Sequence, residues 1–199
     1  MPPSLKAAQM TWLILGMLVF LGVHSTAIFA PNWRAQQIAV RGEAFWKGSY
    51  SVVSLLSFAL MVYGYSVARQ SPVVLYSPPV FLRHLVLLLM LPAFVLLFAS
   101  NLPGRIKTAT KHPMLLATKI WATAHLLANG TLAAVILFGG FLAWAVIDRI
   151  SMKRRTGPIK VLGKARPFND LIALGAGFTA YAVFLLWGHQ WLIGVSPIR

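Results

Sequence analysis

The sequence predicts an all-α, polytopic membrane helical bundle of about six transmembrane helices. Two observations carry this. Of 199 residues, 58% are apolar and 11% are charged, against about 25% charged in an ordinary soluble domain. The apolar residues also gather in long runs, with the cations collected between them. The net charge of +15 then reads as the loop bias of a membrane protein, so the expected partner is the lipid bilayer and not nucleic acid. The length suits one compact unit, residues 1–199.

Six stretches read as spans: 9–30, 49–68, 82–101, 113–128, 131–147 and 169–194. The first resembles a signal peptide in having Lys6 before an apolar run and Ala30 at its end. That run is longer than a 7–15-residue signal core, and Pro31 follows Ala30, so it is read as a retained span. In the second, Ser51, Ser54 and Ser57 recur every three residues and read as a small-residue packing stripe. Pro92 predicts a kink in the third. Spans four and five are short, at 16 and 17 residues, where about 20 cross a bilayer core. Asn129-Gly130 between them is a turn dipeptide, so they form a tight helical hairpin. His112-Pro113 starts span four, with Pro in the first turn.

Loop charge sets the orientation. The loop after span one holds Arg34, Arg41 and Lys47, and the loop after span three holds Arg105, Lys107 and Lys111. The loop after span five holds Arg149, Lys153, Arg154, Arg155, Lys160, Lys164 and Arg166. The opposite side has Lys6, Arg69, Arg83 and Arg199. Thirteen cations against four place those three loops in the cytoplasm and both termini outside it. Trp33 and Trp46 then mark the inner interface, and Trp187 and Trp191 the outer one.

The chain has no cysteine, which excludes disulfides, iron–sulfur clusters, thiol chemistry and thioether-linked haem. It has three acidic residues, Glu43, Asp148 and Asp170. Paired-carboxylate catalysis is therefore unsupported, and a cation pathway lacks its usual carboxylates. The reactive candidates are the five histidines. His24 lies in span one, about six residues from its inner end, and His125 lies in span four. His125 shares a helix face with Trp121, Thr118 and Met114, whereas His112 faces elsewhere with Lys119. On residue chemistry alone His24 and His125 are either hydrogen-bonded packing groups or ligands, and both readings stay open.

Several segments resemble the NnrU family of membrane proteins. They are Leu21-Gly22-Val23-His24-Ser25, Phe81-Leu82-Arg83-His84, Leu102-Pro103-Gly104-Arg105-Ile106-Lys107, Lys111-His112-Pro113-Met114, the run from Trp121 to Gly130, and Leu137-Phe138-Gly139-Gly140. The resemblance covers nearly the whole chain. It implies a bacterial inner (cytoplasmic) membrane protein linked to denitrification, through production of active nitrite and nitric oxide reductases. The family is in turn similar to the 15-cis-zeta-carotene isomerase, a membrane enzyme with haem b. That likeness implies haem b held by His24 and His125 as metal ligands, with Arg34, Arg41, Arg105 and Lys107 available to its propionates. On ideal helices His24 lies about 9 Å and His125 about 18 Å from the inner boundary, so span four must tilt or start deeper. Ala122 stands where the isomerase has a cysteine, which argues against the same isomerisation here. Two other functions fit the pattern. One is a membrane enzyme acting on a lipophilic substrate, isomerase- or methyltransferase-like, since methyltransferases of this kind also carry a His-Pro near a final hairpin. The other is a cofactor-free assembly factor for reductase maturation.

Overall fold

The computed structural model describes residues 3–154 and 165–198, with the backbone alone for 3–9. Arg155, Lys160, Lys164, Arg199 and the Lys6 side chain, all counted in the charge balance, lie outside the described residues. The fold is an all-α membrane bundle. In chain order it has α1 (Pro3–His24), α2 (Thr26–Phe29), α3 (Pro31–Arg41), α4 (Glu43–Ala68) and α5 (Leu82–Ala99). There follow α6 (Arg105–Thr110), α7 (Pro113–Ala128), α8 (Leu132–Arg154), α9 (Pro167–Val183), a π-helical turn (Phe184–Gly188) and α10 (His189–Ile193). The last three run on as one apolar helix, Pro167–Ile193. Among the described residues, β structure is confined to one isolated bridge, Val74 with Thr131.

Four helices are long and apolar enough to cross a bilayer: α4, α5, α8 and Pro167–Ile193. The apolar part of α1, Met10–His24, is shorter, and α7 has the 16 residues expected of it. Leu18, Leu55 and Trp191 are 66%, 68% and 83% exposed, which suits acyl chains and not water.

The helix ends depart from the spans in several places; α4 begins at Glu43, six residues before span two, so Lys47 sits on helix and not in a loop. The helix of span one stops at His24 and α2 begins at Thr26, so the run 9–30 is interrupted at Ser25. The supposed loop after it is largely helical, because Pro31 starts α3 and Gly42, at φ +85°, ends it. Span five continues to Arg154, so Arg149, Lys153 and Arg154 sit on helix and not in a loop. Hydropathy ends at Ile147, but no Gly or Pro follows until Gly157, so the helix has no reason to stop with it.

The chain divides into two compact units, Met1–Tyr76 with Gly130–Lys153, and Ser77–Asn129 with Arg154–Arg199. In the first, α1 crosses α4 with their backbones nearly touching. A Cβ on Gly16 would lie 2.6 Å from the Met61 backbone nitrogen, and one on Gly64 2.6 Å from the Trp12 carbonyl carbon. The buried line on α4 is Ser57, Met61, Gly64 and Ala68. Of the serine stripe only Ser57 joins this seam, its hydroxyl donating to the Val53 carbonyl at 2.7 Å. α8 joins the pair through Gly140 against Met17 and through Phe138 against Tyr65. The Asn129-Gly130 connection is as short as expected, and the Gly130 carbonyl accepts from Leu75 and Tyr76 amides at 2.8 and 3.1 Å.

In the second unit α5 packs against α7 and α9. Gly177 admits α9 to α5, since a Cβ there would meet Val95 Cα at 2.7 Å. Pro92 lacks an N–H and its ring crowds the carbonyl one turn back; beside it, the Leu87 carbonyl accepts from the Tyr181 hydroxyl at 3.1 Å. Asp170 closes the other end of the unit. Its carboxylate accepts from the Arg105 and Ile106 amides at 2.8 and 3.0 Å, serving the first turn of α6. Asn169 donates to the Pro103 carbonyl at 2.8 Å. Between α6 and α7, Lys111 has φ +61° and the His112 amide donates to the Thr110 carbonyl at 2.7 Å. That is a γ-turn in its strained form.

Two predictions follow from this packing. Gly64→Ala should lower stability by about 1–3 kcal/mol through overpacking at the crossing, whereas Gly22→Ala, with nothing near its added carbon, should not. Thermal unfolding in detergent separates them; equal melting temperatures would contradict the close crossing. Lys111→Gly should raise stability by about 1 kcal/mol by relieving the turn. An unchanged or lower Tm would show that the turn stores no strain.

Candidate functional site

His24 and His125 are built alike. The His24 Nδ1 lies 2.7 Å from the Phe20 carbonyl oxygen, and the His125 Nδ1 lies 2.8 Å from the Trp121 carbonyl oxygen. A carbonyl only accepts, so Nδ1 is the protonated nitrogen in each ring and Nε2 carries the lone pair. In each case the residue four back is aromatic and its ring lies against the imidazole. Phe20 stacks on His24 at 4.1 Å between centroids, and Trp121 tilts against His125 at 5.3 Å. A metal-binding histidine is usually oriented by this kind of hydrogen bond from its other nitrogen.

The surroundings differ. In the first unit Tyr50 of α4 and Trp144 of α8 approach His24 at 5.1 and 6.0 Å, the Trp144 ring edge-on. Phe58 and Phe141 extend the aromatic wall from Phe20. The Trp144 Nε1 is buried without a hydrogen-bond partner. Asp148, one turn beyond Trp144, is 8% exposed and lies within electrostatic reach of Tyr50. His24 itself ends α1 at the break before Ser25, so the helical continuation behind the 9 Å depth is interrupted. In the second unit His125 lies one turn before the end of α7, where the Asn129 amide and side chain both donate to its carbonyl at 2.9 Å. His189, on α10, lies within electrostatic reach of His125.

The cations divide two and two between the units. Arg34 lies over the Trp46 ring at 5.8 Å and Arg41 over Phe45 at 5.5 Å. Arg34 is also in electrostatic reach of Tyr50, which ties it to the His24 side of the first unit. In the second, Lys107 donates to the Ser100 carbonyl at 2.5 Å and the Arg105 backbone is held by Asp170. These two start the segment that precedes α7, and His125 lies about 18 Å from the start of α7 along an ideal helix. His112 is the helix start expected, at the N-cap of α7 with Pro113 in the first turn.

Reading the sequence missed Tyr50 and Trp144, which reach the His24 neighbourhood from other helices. It also treated Asp170 only as a scarce acid. The aromatic four residues before each histidine was the available signal, and only Trp121 was placed on the face of its histidine. Among the described residues no three His, Asp or Glu side chains gather as a metal cluster. Two imidazoles would suffice to hold a haem, so this does not bear on that reading.

The Phe20–His24 and Trp121–His125 pairs match the requirements of a haem-axial imidazole in tautomer and in apolar surroundings. Comparison with known proteins adds one match. No curated protein and no solved structure matches the chain significantly. The family model described as NnrU protein matches residues 12–197, nearly the whole chain, and the protein therefore belongs to the NnrU family.

Proposed function

We propose that this NnrU-family protein binds haem b within the bilayer and supports denitrification, through the production of active nitrite and nitric oxide reductases. The observation that carries the haem reading is the duplicated arrangement at His24 and His125. In each, a carbonyl on its own helix accepts from Nδ1, so that Nε2 is the unprotonated nitrogen of the neutral ring. When bound, haem would supply one-electron chemistry or be cargo for delivery to a reductase. His24 and His125 would hold the iron, each backed by aromatic neighbours of its own unit: Phe20, Tyr50 and Trp144 at His24, and Trp121 at His125. Arg34, Arg41, Arg105 and Lys107 are the cations offered to the propionates. Each already has a neighbour through side chain or backbone, so none is assigned.

A methyltransferase reading loses support from Asp170. Enzymes of that kind use acidic residues after the His-Pro to hold S-adenosylmethionine, and both Asp170 carboxylate oxygens already accept amides of α6. The remaining alternative, a cofactor-free assembly factor, is decided by the same experiment as the haem reading. The protein is expressed with haem precursor, purified in mild detergent, and examined by absorption spectroscopy with a pyridine haemochrome assay. A stoichiometric b-type Soret band, lost or shifted in His24→Ala and in His125→Ala, is the expected result. A folded, helical, colourless protein would leave the assembly-factor reading.

In the same proposal the protein lies in the bacterial inner membrane with both termini outside the cytoplasm, a reading that the loop charge bias supports. A periplasm-dependent phosphatase appended after the last residue should be active. Inactivity, with a cytoplasmic reporter active at the same point, would reverse the orientation.

A further inference from the structure

One ridge of α4, at four-residue spacing, runs through Trp46, Tyr50, Ser54 and Phe58 and changes chemistry along its length. At its start is a cation, the Arg34 guanidinium over Trp46. Two hydroxyls follow, on Tyr50 and Ser54. Last comes Phe58, whose ring meets Phe20 of α1 at 6.1 Å. The ridge covers about 18 Å. Its lower part lines a groove of about 340 Å³ bounded by Phe20, Tyr50, Ser51, Ser54, Leu55 and Phe58.

Two features mark the groove as built for a ligand from the bilayer. Ser49, Ser57 and Ser66 of the same helix each donate to a carbonyl of that helix, as membrane serines commonly do. The Ser54 hydroxyl is buried beside the groove, lacks a well-formed hydrogen bond and has the Tyr50 hydroxyl as its polar neighbour. Leu55, on the rim, is exposed, so the groove opens to the surface that acyl chains cover. The cationic end has its own logic. Arg34 and Arg41 are seven residues apart on α3 and share a flank, each against an aromatic ring of α4. The exposed Trp33 and Val40 repeat at the same spacing beside them. Such a helix lies at the membrane surface with its apolar flank down and its cations at the headgroups. The nearby acid Glu43 is in an ion pair with Lys47 at 2.9 Å, so the positive charge of the two arginines dominates the flank.

We propose that this groove holds one anionic glycerophospholipid, with its phosphate at Arg34, an ester carbonyl at the Tyr50 hydroxyl, which Ser54 backs, and an acyl chain along Phe20, Leu55 and Phe58. A guanidinium with one face on an indole keeps its in-plane N–H donors for two phosphate oxygens. A zwitterionic lipid fills the groove equally well but brings its own ammonium toward the two arginines. The site gives Arg34 to a lipid phosphate in place of a porphyrin carboxylate.

The test is native mass spectrometry of the full chain in mild detergent, titrated with phosphatidylglycerol or phosphatidylcholine. The wild type should retain one phosphatidylglycerol in preference to phosphatidylcholine. Arg34→Gln should lower that preference about fivefold, the contribution of one cation at a headgroup. Arg34→Lys, which keeps the charge, should retain most of it; equal loss in both variants counts against a charge-based site. Tyr50→Phe should weaken retention of both lipids about threefold through one lost hydrogen bond, and Lys153→Gln, at the end of α8, should change nothing. The proposal is overturned if the wild type shows no preference or if Arg34→Gln leaves it intact. It is also overturned if Arg34→Gln removes haem, read by pyridine haemochrome, while the lipid preference holds, because the cation then serves a porphyrin.

Discussion

Helices in a bilayer gain little by hiding apolar side chains from one another, because lipid tails solvate those side chains equally well. What holds this protein together is close backbone approach, and glycine placement decides where that occurs. Gly16 and Gly64 bring α1 onto α4 from both sides of one crossing, and Gly177 brings α9 onto Val95 of α5. The candidate site inherits its geometry from the first of these. His24 follows Gly16 by two turns on α1, and Tyr50 and Ser54 precede Gly64 on α4. A wider crossing would move Tyr50 away from the imidazole and open the wall between Phe20 and Phe58.

Polar contacts then fix the ends that packing leaves loose. Asp170 and Asn169 tie the start of α9 to the segment from Pro103 to Ile106. Tyr181 meets the carbonyl row beside Pro92. These bonds are few: those of Asp170 and Asn169 pin backbone at the end of the unit, and that of Tyr181 serves a carbonyl within the span that a bilayer could not hydrate. The acid content of the chain fits this economy. Asp170 is engaged as a cap and Asp148 is buried, while Glu43 is exposed and pairs with the lysine one turn on.

Much of the fold was legible because hydropathy is a bulk property of a segment. Span four was read to the residue, since Pro113 and Asn129 punctuate it at both ends. Span five was cut short because hydropathy stops before helix does at Asp148-Arg149. The helix α3 was hidden by its charges, although Pro31 and Gly42 are ordinary start and stop signals and stood in plain view. The break at Ser25 had no such signal, as neither Gly nor Pro stands there. The histidines themselves were legible as ionisable groups in apolar runs. Tyr50 and Trp144 were not, because their relation to His24 depends on the crossing of α1, α4 and α8, which no local pattern records.

The π-helical turn at Phe184–Gly188 has a consequence for how this chain can vary. A π turn holds one residue more than the α-helical turn it replaces, so the helix here carries one extra residue without ending. Gly188 sits under the Phe184 ring, where a larger residue would crowd it. Beyond the turn, His189 meets that same ring at 5.6 Å and reaches the Val195 carbonyl at 2.6 Å. Deleting one residue here would leave a continuous apolar helix of nearly the same length. It would also rotate everything after it by about 100°, turning His189 off its present azimuth. In lineages where that deletion occurs, span length and hydropathy would look untouched, and the change would show only in which way the last imidazole faces.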